Sequence, residues 1–65
     1  AESSAAVNLK NALAVLTDIE RQVIYQKYFM EFTVRDIAKS VGKSKSTVQR
    51  IIDAAEQKMA NYFQN

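Results

Sequence analysis

The stretch Thr33 to Ile52, TVRDIAKSVGKSKSTVQRII, decides how this chain folds. Thr33 followed three residues later by Asp36 opens a helix: the hydroxyl can accept from the Asp36 amide, and the carboxylate complements the positive end of the helix dipole. The spacing then turns Ile37 and Ala38 inward. This helix is short, because Gly42, the one glycine of the chain, stands where a left-handed residue just past a helix end is required. Ser44 caps the next helix. Its apolar positions Val48, Ile51, Ile52, Ala55, Met59 and Tyr62 form a helical stripe that runs almost to the C-terminus. A small residue at Ala38 permits close approach, and the glycine permits a steep turn. Together they give the anatomy of a helix-turn-helix, expected over about residues 33–62.

Two further helices are expected upstream. Ser4 can cap the first, in which Leu9, Ala12, Leu13 and Leu16 recur at i, i+3, i+4 and i+7. Thr17-Asp18-Ile19-Glu20 reads as a capping box, with the Thr17 hydroxyl accepting from Glu20 and the Glu20 carboxylate reaching back to the Thr17 amide. The second helix then runs through about Phe29, with Ile19, Val23, Ile24 and Tyr28 turned inward. A chain with no proline and a single glycine fits poorly with an all-β fold, which needs many tight turns. The expected fold is all-α, a four-helix domain with a C-terminal helix-turn-helix, occupying residues 1–65 as one unit. There is no internal repeat or linker. The chain begins at Ala1 without an initiator methionine and reads as a fragment of a longer protein.

Composition excludes most chemistry. Sixty-five residues make one domain, and a chain this short buries only about 60% of its unfolded surface. With no cysteine and no histidine, disulfide frameworks, soft metal sites and Ser-His or Cys-His catalysis are unavailable. No apolar run approaches the ~18 residues of a membrane span, so no membrane partner is expected. Gly42-Lys43-Ser44 echoes the end of a phosphate-binding loop, but that motif needs glycine at position 37 and finds Ile37. Asp53 and Glu56, one turn apart, read as helical surface charges near Lys58. No enzyme, cofactor or metal is expected; a soluble cytoplasmic recognition module is.

The charge is unevenly placed. The formal net charge is only +2. Residues 35–50, however, hold Arg35, Lys39, Lys43, Lys45 and Arg50 against Asp36 alone, a net +4, and the remainder of the chain is at −2. At about 100° per residue, Lys45, Ser46, Gln49, Arg50 and Asp53 share an arc opposite the Val48–Ile52–Ala55–Met59 stripe. Arg and Lys can donate to guanine O6 and N7, Gln can pair with adenine, and Ser is permissive. Lys45, Ser46, Gln49 and Arg50 also fall in the first two turns, the part of a recognition helix that enters the major groove. They are the candidate base contacts. Thr33, Arg35, Lys39, Lys43 and Thr47 surround them as candidate phosphate contacts.

These motifs resemble a known family. The run from Leu13 to Ile24, with Leu16-Thr17-Asp18-Ile19-Glu20-Arg21-Gln22-Val23-Ile24 at its centre and Tyr28-Phe29 after it, resembles the start of bacterial sigma factor region 4. Thr33 to Arg50 resembles that family's helix-turn-helix, and Ala55-x-x-Lys58-Met59 its closing Ala-x-x-Lys-Leu. The likeness spans about Leu9 to Met59. It implies a domain that reads the −35 element of double-stranded promoter DNA within an RNA polymerase holoenzyme, with Lys45, Ser46, Gln49 and Arg50 at the recognition positions. The chain departs from the family at Lys43, where Val or Ile often packs the corner, and at Ser46 and Gln49, where primary sigma factors commonly carry Glu and Arg. It therefore resembles an alternative sigma factor or a sigma-like regulator.

Tyr25, Phe29, Met30 and Phe32 exceed what one stripe can use. One reading makes them core or corner residues of a domain short of core. The other makes them an exposed groove for a partner helix; the resemblance implies that such a groove receives the polymerase β-flap, with anti-sigma factors as competitors. Two alternatives stand beside the sigma reading. One is the effector domain of a LuxR-type response regulator, which shares Leu16-Thr17-x-x-Glu20-Arg21-x-Val23-Ile24 and Ser44-x-x-Thr47-Val48. The other is a protein-interaction module working through the apolar face of helices one to three.

Overall fold

Every helix whose start is described begins at a hydroxyl cap: Thr17, Thr33 or Ser44. The structure, a computed structural model, describes residues 10–64 and side chains as far as Phe63. Helix α1 is described over residues 10–14, and is followed by α2 (Asp18–Tyr28), α3 (Val34–Val41) and α4 (Lys45–Gln64). The described residues are all-helical with no strand, as the punctuation predicts. The Ser4 cap and Leu9 lie outside the described residues.

The caps form as read. Thr17 and Thr33 each close a full capping box, with Glu20 and Asp36 respectively returning to the cap amide. The Thr47 amide donates to Ser44 Oγ at 3.2 Å, which starts α4. Gly42 takes the left-handed conformation at φ 70°, and the Lys43 amide returns to the Ala38 carbonyl at 3.0 Å in a Schellman-type bond. Arg21 supplies a further closure. Its guanidinium donates to the carbonyls of Leu13 (3.2 Å) and Leu16 (3.0 Å), satisfying acceptors at the end of α1.

Two apolar clusters hold the helices. Val23, Ile37, Ala38, Val48 and Ile52 are buried together where α2, α3 and α4 meet, flanked by Ile19, Phe32, Val34, Val41 and Ile51. Leu16, Ile24 and Ala55 form the second, joined by Leu13 and Met59. The inward positions expected of α3 and α4 are thus occupied except for Tyr62, which is half-buried outside both clusters with its ring edge-on to Phe63. Tyr28 of α2 also departs: it is exposed rather than inward. Its hydroxyl donates to Glu56 of α4 and Lys27 Nζ lies 5.0 Å from its ring, so a polar tip holds it at the domain edge. Gln26 is buried instead, and its Nε2 donates to Ser40 Oγ at 2.8 Å, tying α2 to α3.

Charged side chains also cross between helices. Glu20 is buried, and its Oε1 accepts from the Thr17 amide (2.9 Å) and from Lys58 Nζ on α4 (2.8 Å). Lys27 pairs with Glu56 at 3.0 Å. The surface charges expected near Lys58 are therefore rearranged: Glu56 reaches Lys27, and Lys58 reaches Glu20. The Lys58 ammonium beside Glu20, followed by the Thr17 amide, holds the Glu20 carboxyl below its ordinary 4.5.

Two stability outcomes follow from these contacts. A Cβ at Gly42 would meet nothing within 4 Å, so Gly42→Ala should cost only the left-handed backbone strain, about 1–2 kcal/mol, read as a lower urea midpoint. Because the folded Glu20 titrates below its unfolded value, it adds stability above about pH 4.5 and loses it as pH falls through the folded value. Glu20→Gln should lower stability at neutral pH and flatten the loss on acidification. Parallel stability-against-pH curves for the two proteins would contradict this role for Glu20.

Candidate nucleic-acid interface

Packing one side of α4 into the core leaves the opposite side free. Val48, Ile52 and Ala55 are fully buried, whereas Lys45, Ser46, Gln49 and Arg50 are all exposed. The four candidate base contacts therefore lie together on the first two turns of α4. Within this face, Gln49 Nε2 donates to Asp53 Oδ1 at 2.9 Å. Ser46 Oγ lies 3.3 Å from Ser44 Oγ.

The candidate phosphate contacts divide by chemistry. Arg35, Lys39 and Lys43 are exposed. With Ala38, Gly42, Ser44 and Lys45 they line an open concavity of about 570 Å³ between α3 and the start of α4. No carboxylate among the described residues lines it. The ion pairs among the described residues, Arg21–Asp18, Lys27–Glu56 and Lys58–Glu20, all use cations outside residues 33–50. The corner cations form no ion pair among the described residues, although Lys39 and Arg35 act on Asp36 at longer range, and the net positive charge raises the local potential for a polyanion. Asp36, the acidic exception, is engaged with Thr33: the Thr33 amide, then its hydroxyl, holds the carboxyl below its ordinary 3.8.

Thr33 and Thr47 carry structural duties as well. Thr33 Oγ1 accepts from the Asp36 amide at 3.1 Å. Thr47 is half-buried, and its Oγ1 accepts from Ser44 Oγ at 2.9 Å. Each hydroxyl retains a proton of its own to donate outward.

The aromatic surplus splits into two. Tyr25, Phe29 and Met30 are 55%, 58% and 47% exposed, and the rings of Tyr25 and Phe29 stack at 5.2 Å. Phe32 does not share this surface. It is half-buried against the core, because its amide returns to the Gln26 carbonyl at 2.9 Å after a left-handed Glu31 and folds the segment under α2. The core-or-corner reading thus describes Phe32, and the exposed reading describes the other three.

Several residues that organise this region escape a sequence reading. Arg21 as a closure for α1 and Glu20 as a partner of Lys58 depend on groups brought near by folding. The Gln49–Asp53 contact does have a sequence signal, the i, i+4 spacing at which Gln and Asp meet on a helix. Among the described residues no helix is long and apolar enough to cross a membrane.

Comparison with known proteins agrees with this geometry. Residues 12–61 match the family described as sigma-70, region 4, a span that includes both capping boxes, the core and the whole exposed face of α4's first two turns. No curated protein and no solved structure matches the sequence significantly. The family is one of DNA-binding regulatory domains and not an enzyme family. With most of its length inside the match, the chain belongs to the sigma-70 region 4 family, whose helix-turn-helix domains bind DNA in transcription regulation.

Proposed function

We propose that this domain reads the −35 element of promoters as region 4 of an alternative sigma factor or sigma-like regulator, in the bacterial cytoplasm, and so recruits RNA polymerase. The observation that carries the reading is the placement of Lys45, Ser46, Gln49 and Arg50 on one exposed face, beside a corner of cations that form no ion pair among the described residues. In this reading α4 enters the major groove by its first two turns. Arg50 and Lys45 donate to guanine edges, and Gln49 and Ser46 supply amide and hydroxyl contacts. Arg35, Lys39, Lys43, Thr33 and Thr47 hold the flanking phosphates and set the register.

The low net charge of +2 implies modest affinity for DNA alone, since phosphate neutralisation supplies most non-specific binding. Polymerase contributes the remainder. Its docking surface is the exposed Tyr25, Phe29 and Met30 patch on and just after α2, while Phe32 packs against the core. This patch takes the β-flap, and an anti-sigma factor would compete there. The family match supports the sigma reading over a LuxR-type effector domain, and a single −35 element would be bound by one copy of the domain.

Arg50→Ala should cost about 1–3 kcal/mol at the preferred site and relax discrimination at one base position. Binding measured against a panel of single-base variants checks this, and an equal loss on scrambled duplexes would remove Arg50 from base readout. Lys39→Ala should instead weaken all duplexes alike. The slope of log affinity against log salt should fall by about 1 in that variant.

A further inference from the structure

The first turns of α4 hold a side-chain contact that the proposed readout leaves unused. Gln49 Nε2 donates to Asp53 Oδ1 at 2.9 Å, with both residues exposed on the arc that carries Ser46 and Arg50. Asp53 takes part in none of the ion pairs among the described residues. Resting on the reading of α4 as the base-contacting helix, we propose that Asp53 is a positioning residue that holds the Gln49 carboxamide in the orientation that selects adenine.

The chemistry follows from what each group can donate. An ionised carboxylate only accepts, so it can face the amide nitrogen of Gln49 and never its Oε1. It takes the N–H directed away from Oε1, because an anion beside that oxygen would be repelled. The second N–H and Oε1 then lie side by side on the free edge of the carboxamide. One donor next to one acceptor is the complement of adenine in the major groove, where N7 accepts and the N6 amino group donates. Guanine presents two acceptors, N7 and O6. The same edge would set Oε1 against O6, oxygen against oxygen.

Without Asp53 the terminal torsion of Gln49 is free. That torsion is broad and roughly two-fold, so the amino group could swing outward and donate to guanine. Holding the amide in advance also removes part of the ordering cost that a long side chain meets on binding. Asp53 thus acts on the choice of base through Gln49, without touching DNA itself.

The test is a selection from a pool of random-sequence duplexes by the 65-residue chain, followed by sequencing of the bound fraction. The variants are Gln49→Ala, Asp53→Asn and Asp53→Ala, with helix content checked by circular dichroism. The asparagine variant matters most, since its amide can either accept from or donate to Gln49 and so permits both orientations. Losing an anion will tighten binding to every duplex, so the readout is the ratio of adenine to guanine at each position.

The wild-type chain should enrich adenine over guanine at one position by about 5- to 150-fold, the discrimination of one good bidentate pair. Gln49→Ala should abolish that preference, and Asp53→Asn and Asp53→Ala should reduce it to a few-fold while other positions keep theirs. Full adenine preference in both Asp53 variants would overturn the proposal. So would a Gln49-dependent position that is not adenine. In either case α4 would still read DNA by other residues. The chain is used at a concentration that retains bulk duplex; binding there with no sequence enriched would instead overturn the DNA-reading proposal together with this one.

Discussion

Val48 and Ile52 of α4 pack against Val23 of α2 and Ile37 of α3, and that contact sets the direction of everything on the other side of α4. One helix serves as both the centre of the core and the platform of the interface. Its buried stripe and its exposed face are related only by the pitch of the helix, so a rotation that misplaced Val48 would also misplace Gln49 and Arg50. Building the exposed residues on a packed helix, and not on a loop, limits that rotation. The left-handed Gly42 completes the constraint by fixing where α4 starts relative to α3.

Electrostatics divides the molecule along the same line. Away from the corner, three cations are matched: Lys58 with buried Glu20, Lys27 with Glu56, Arg21 with Asp18. Lys27 is raised by its bond to Glu56, and Glu56 is held low by the Tyr28 hydroxyl and by Lys27, so this edge of α2 and α4 is a closed set of partners. At the corner Arg35, Lys39, Lys43 and Lys45 share a concavity that no carboxylate among the described residues lines. Positive charge is spent internally where it braces helices and left available where a polyanion would lie. A small total charge is consistent with a local field that is strongly one-signed.

Much of this was legible in the chain. Caps, the turn glycine and the apolar stripes are local signals, because a hydroxyl three residues from its amide or a side chain one turn from the next needs no distant partner. Hence the positions of α2, α3 and α4, the inward set Val23, Ile24, Ile37, Val48 and Ile52, and the outward set Lys45, Ser46, Gln49 and Arg50 agree between sequence and structure. The disagreements are of another kind. Tyr28 satisfies the α2 period yet lies outside, and Gln26 breaks the apolar pattern yet lies inside, bonded to Ser40. Periodicity ranks residues by hydropathy, whereas burial of a polar group depends on whether a partner awaits it.

The helices, the helix-turn-helix corner and the gathering of positive charge there are all written in neighbouring residues, because caps and stripes act within one or two turns and the charge lies within residues 35–50. Tertiary structure alone decided which aromatics are exposed, which carboxylate meets which lysine, and that the corner cations form no ion pair among the described residues. Those outcomes join residues tens of positions apart, as with Glu20 and Lys58, and exist only once α2 and α4 have docked. The physical reason is the reach of the interactions: backbone caps act within a turn, while ion pairs and core contacts act through space.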